Sequence, residues 1–168
     1  MLDRLTLRHV VVATIILLAP LFAVGWLTRA DPTDAPYLKI LGGGFIFNYR
    51  IADVHYGFTA VVARPLESGS VIEAVFEDPG GGPPLVVRER VSTMTDRYAL
   101  RSPPVRGVEA GRPYKVDVNV FDRLETRALW THSMNFRSQI SDASISDQPL
   151  TIGPGYHRNP DAVENHGG

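Results

Sequence analysis

Between Val10 and Leu27 the chain reads VVVATIILLAPLFAVGWL, a run without one charged side chain. Wound as a helix that rises about 1.5 Å per residue, the run crosses roughly 27 Å, close to the hydrocarbon thickness of a bilayer. Such a segment has no place on the surface of a small water-soluble domain, so it is removed before the rest is folded. Pro20 would break a helix in water, but in a membrane the freed carbonyl is re-satisfied locally and a kink is tolerated. Trp26 stands at one end, where an indole suits the interface, and Arg8, His9 and Arg29 bracket the run. The reading is a cytoplasmic tail at 1–9, a transmembrane signal-anchor at 10–27 and a stem at 28–37. A cleaved signal peptide is the alternative, with Thr28-Arg29-Ala30 as a passable cleavage site, although apolar regions of that kind usually run only about 7–15 residues. Arg4 and Arg8 on the short side, against Arg29 and Lys39 on the other, place the remainder outside the cytoplasm.

That remainder is the size of one domain, and with 44% hydrophobic and 21% charged residues the chain can bury a core. A net charge of -1, with basic residues scattered among acids, argues against nucleic acid as a partner, because phosphate binding needs a clustered basic surface. Cysteine is absent, which removes disulfides, thiolate metal sites and thiol nucleophiles. Asn48, Asn119, Asn135, Asn159 and Asn165 all lack Ser or Thr two positions on, so there is no glycosylation sequon. Lys39 and Lys115 are the only lysines. Together these features favour a bacterial inner-membrane protein, single-pass, with its C-terminal domain in the periplasm.

From Leu38 to Ile152 the apolar residues alternate, the mark of strands with one buried face. Strands are expected at Phe45–Ile51, Tyr56–Val62, Val71–Glu77, Leu85–Val91, Tyr98–Leu100, Tyr114–Val120 and Ala128–Phe136, with a possible eighth at Leu150–Ile152. DPGGGPP from Asp78 to Pro84 is a turn, and no later stretch carries the apolar stripe and capping signals of a helix. The expectation for 38–152 is an all-β, two-sheet sandwich. From Gly153 the chain is rich in Gly, Pro and polar residues, and 153–168 reads as a disordered tail.

One local pattern sharpens the fold. Val108-Glu109-Ala110-Gly111-Arg112-Pro113-Tyr114 resembles the tyrosine corner that enters strand F of immunoglobulin-like and fibronectin type III-like domains, with Ala110 where Pro is usual. The resemblance implies a single sandwich of about seven or eight strands in which the Tyr114 hydroxyl bonds back to the chain. It implies no activity, since such sandwiches host many functions.

Chemistry is sparse. His132 and Met134 lie two apart in an expected strand, hence on one face and about 7 Å apart, a spacing that suits a soft copper ion. The H-x-M string resembles the end of periplasmic copper chaperones, whose further ligands, an upstream His and Met at fixed spacing, are not matched here; His55 and Met94 are the only upstream candidates. The competing reading is core filling, because Trp130 and Phe136 share that alternating face. No nucleophile elbow, zinc-protease or phosphate-loop string occurs, so no enzyme is expected. SDASISD at Ser141–Asp147 reads as a solvated loop, and Arg88, Arg90, Arg97 and Arg101 read as an ion-paired stripe across neighbouring strands. The function expected is an anchored extracytoplasmic interaction or assembly module, joined to the membrane through 10–27 and to an unidentified envelope protein. A copper-binding protein using His132 and Met134 is the alternative.

Overall fold

The computed structural model describes residues 7–27, 35–146 and 148–162. The expectations for 1–6, the stem at 28–34, Asp147 and the final residues from 163 lie outside the described residues. Two compact units are present, Met1–Ala35 and Pro36–Gly168.

In the first unit, α1 (Leu7–Leu27) runs through Pro20, and Thr14 Oγ1 donates to the Val10 carbonyl at 2.9 Å. The stretch Arg8–Leu27 is long and apolar enough to cross a membrane, a length and composition that a signal sequence shares.

The second unit is an all-β sandwich. Seven strands form its two sheets: β1 (Leu38–Asn48), β2 (Asp53–Val62), β3 (Val71–Phe76), β4 (Leu85–Arg90), β5 (Arg97–Arg101), β6 (Pro113–Phe121) and β7 (Ala128–Arg137). One sheet has the order β1-β2-β5 and the other β4-β3-β6-β7, every pairing antiparallel. The alternation seen in the sequence becomes the core. Val54, Tyr56, Phe58 and Ala60 of β2 face Ile72, Ala74 and Phe76 of β3 and Tyr114, Val116, Val118 and Val120 of β6, all of them buried. Tyr56 is at the centre, stacked on Phe45 at 4.6 Å and edge-on to Phe76 at 5.2 Å, and its hydroxyl donates to the Glu77 carbonyl.

Three local details depart from the sequence reading. The first strand begins at Leu38 and passes through the glycine triplet, with a bulge between Ile40 and Gly42. Gly43, the middle one, has close neighbours: a Cβ there would fall 2.7 Å from the Phe136 ring. That strand ends at Asn48, and Tyr49 and Ile51, expected in it, are exposed turn residues. Asn48 Oδ1 accepts the Arg50 N–H and Ala52 adopts φ 55°, which closes the turn early. After Gly153, part of the stretch read as disordered instead forms a hairpin, β8 (Thr151–Ile152) with β9 (His157–Arg158). Specific bonds do what composition cannot. Asn159 is buried, donates to the Leu150 and Pro149 carbonyls, and the Arg50 guanidinium lies 3.6 Å over the Tyr156 ring.

Candidate functional site

The tyrosine corner is built as its spacing implied. Tyr114 is fully buried, its hydroxyl accepts the Glu109 N–H at 2.7 Å and donates to the Gly107 carbonyl at 3.3 Å, and Gly111 takes φ 78°.

His132 and Met134 share one face of β7, paired with Val118 and Val116 of β6, whose side chains point into the core. Met134 packs against that core. His132 lies at its exposed rim, stacked on Trp130 with ring centres 5.4 Å apart and planes 12° from parallel. The two upstream candidates are not brought to them. His55 projects from β2 on the outer face of the opposite sheet, and Met94 is 94% exposed beyond the end of β4. Among the described residues no three His, Asp or Glu side chains gather as a metal cluster. The β7 pair offers an ion one imidazole and one thioether and leaves its other positions to solvent or to a second molecule.

The SDASISD loop is tied to its own domain. Asp142 accepts the Gly107 N–H at 2.6 Å, and Ser141 caps a short 3-10 turn at Asp142–Ser144 by accepting the Ala143 N–H.

The arginine stripe divides between the sheets. Arg88 and Arg90, on the outer face of the four-stranded sheet, are ion-paired: Arg88 with Glu73 at 2.6 Å and Glu125 at 3.0 Å, Arg90 with Glu125 at 2.9 Å. Lys115 and Asp117 on that face pair at 2.8 Å. Arg97 and Arg101 instead stand on the outer face of the three-stranded sheet, where their register partners are Val61 and Gly57. Lys39 joins them there, level with Val61. Among the described residues none of Lys39, Arg97 and Arg101 has an ion-pair partner.

Arg101 lines a trough of about 430 Å³, and Lys39 and Arg97 stand one row beyond it on the same face. Its floor is made of rows without bulk, Gly42-Thr59-Ala99 and Gly44-Gly57. Gly57 is required by the close approach of β5, since a Cβ there would meet the Leu100 carbonyl oxygen at 2.2 Å. Ile46, half exposed, and His55 close one end. Burial lowers the pKa of His55, and the Arg101 charge lowers it further against a smaller opposing effect of Asp53. His55 Nε2 is a buried atom with no hydrogen-bond partner among the described residues. Sequence reasoning missed this face because Lys39 is distant in the chain from Arg97 and Arg101 and joins them only through the β1-β2-β5 order.

By architecture, then, the chain is an all-β sandwich preceded by an apolar helix. No family model and no curated protein matches it. Among solved structures it is similar to a calcium-binding mutant of Bacteroides uniformis beta-glucuronidase 2, at 13% identity and a TM-score of 0.39. That match covers 65% of this chain, which spans 14% of the other.

Proposed function

We propose that this chain is a membrane-anchored interaction or assembly module of the bacterial envelope, a fibronectin type III-like sandwich held outside the cytoplasm by α1 and binding another envelope protein. The observation that carries the reading is the contrast between the two outer faces. On the four-stranded sheet Arg88, Arg90 and Lys115 are ion-paired, whereas on the three-stranded sheet Lys39, Arg97 and Arg101 have no ion-pair partner among the described residues and Arg101 lines a trough. An anchor confines the domain to two dimensions and raises its effective concentration near membrane partners, which aids a binding module more than an enzyme of soluble substrates. The fibronectin type III-like assignment draws support from the Tyr114 corner and from β4, which pairs with β3; in immunoglobulin constant-type domains the fourth strand joins the sheet of the first, second and fifth. Purification of the full chain from mild detergent should yield a stoichiometric protein partner. Recovery of the protein alone, at native expression and after cross-linking, would count against the module.

A second reading, copper binding, is favoured by one observation: His132 and Met134 stand side by side on β7. Under it the full chain binds Cu(I) near unit stoichiometry and loses the ion on His132→Ala or Met134→Leu. Failure of the unmutated chain to bind Cu(I) ends that reading.

A further inference from the structure

We infer that the trough on the outer face of the three-stranded sheet receives an extended acidic segment of a partner polypeptide, laid along β5 with its carboxylates on Arg97, Arg101 and Lys39. The inference rests on the interaction-module reading and names the chemistry of the partner.

Spacing carries the first part of the case. Arg97 and Arg101 lie on one strand face, four residues apart, so their Cα atoms are roughly 13–14 Å from each other. An extended peptide with an acidic residue at every second position repeats its carboxylates about every 7 Å on one face, so the first and third meet the two arginines. Lys39 is two strands across from Arg97, roughly 10 Å away, and offers a third cation on the same face. Shape carries the second part. The floor between the cations is Gly44, Gly57, Gly42, Thr59 and Ala99, and a Cβ on Gly44 would meet nothing within 4 Å. A floor stripped of side chains lets a polypeptide backbone come close. A flat lipid surface could not enter a depression bordered by Ile46 and Arg101. A polynucleotide would need aromatic platforms for its bases, and the two aromatic residues of the lining, Phe45 and Phe58, pack into the core.

Charge complementarity fixes the sign of the occupant. On the other sheet Arg88 is matched to Glu73 and Lys115 to Asp117, so an acid arriving at either displaces an existing partner. An acid arriving at Arg97 or Arg101 displaces only water. An exposed contact of this kind is governed by ionic strength and acts mainly on encounter and register.

The test uses the full chain in detergent micelles and a fluorescein-labelled twelve-residue peptide of alternating Glu and Thr, followed by anisotropy at low salt. Saturable binding is expected, weakened at least tenfold by 0.5 M NaCl, by exchange of every Glu for Gln, and by the double variant Arg97→Glu, Arg101→Glu. Gly44→Leu, which fills the trough without touching a charge, should also weaken binding at least tenfold, and Arg127→Glu, the same charge change in the β6–β7 loop, should leave it unaltered. The inference is overturned by no saturable binding, by equal binding of the Gln peptide, by full affinity in Gly44→Leu or the double arginine variant, or by preference for anionic phosphatidylglycerol vesicles or oligothymidylate. If a stoichiometric partner co-purifies while the peptide fails, the trough assignment falls and the interaction module stands. If the peptide binds and no partner is found, the reverse holds.

Discussion

Tyr114 shows how much one hydroxyl can hold. It satisfies the Glu109 N–H and the Gly107 carbonyl at once from a fully buried ring, so Tyr114→Phe leaves two backbone groups short of a partner. The expected cost is about 1–2 kcal/mol by urea denaturation, and a neutral result would remove the corner from the account of stability. Gly111→Val should cost more than Gly111→Ala, because φ 78° is hostile to a β-branched residue. The corner was legible in the sequence because its residues are neighbours in the chain. His55 was not. Its depressed pKa arises from burial and from Arg101, which approaches from another strand. A lowered folded-state pKa means that the unfolded chain binds the proton more readily, so stability is complete above the usual 6.5 and falls as pH drops below it. His55→Gln should flatten that acid slope, and Arg101→Gln should raise the His55 titration midpoint by NMR.

Among the elements, the buried face of β6 was the most readable, since Tyr114, Val116, Val118 and Val120 alternate without interruption and all are buried. The first strand was harder. Glycine reads as a turn signal, and the Phe136 ring against Gly43 accounts for the middle one of the three. The arginines were grouped by proximity in sequence, yet β4 and β5 belong to different sheets, so half of the stripe is paired and half is not. On β7, alternation correctly put His132 and Met134 on one face, but not the depth of each. As Met134 packs on the core while His132 stacks at its rim, Met134→Leu should change stability by less than about 1.5 kcal/mol in a thermal melt. The same pair of side chains then separates the copper reading, since only a ligand role makes Met134→Leu costly to Cu(I) binding. Between β2 and β5, Gly57→Ala should be strongly destabilising, because the new methyl meets the Leu100 carbonyl rather than a side chain that can turn away.

At the scale of the molecule, the sequence divided itself into an apolar helix and a β domain because the two obey different periodicities. If α1 is an uncleaved anchor, intact mass of the mature protein retains Met1–Leu27, and a periplasm-dependent reporter fused to the C-terminus is active; loss of the segment from the mass would show a signal peptide instead. What the chain order could not reveal is which faces end up charged, because that depends on strand adjacency. The segregation has a chromatographic consequence. A protein of net charge -1 and pI near 6.5 is expected to flow through a cation exchanger at pH 7. Retention, however, follows the face that touches the resin, and this molecule can present Lys39, Arg97 and Arg101 together on one face. It should therefore be held on sulfonate beads at low salt. Removing those three charges should abolish the retention, whereas removing three paired cations from the opposite sheet should shorten it far less.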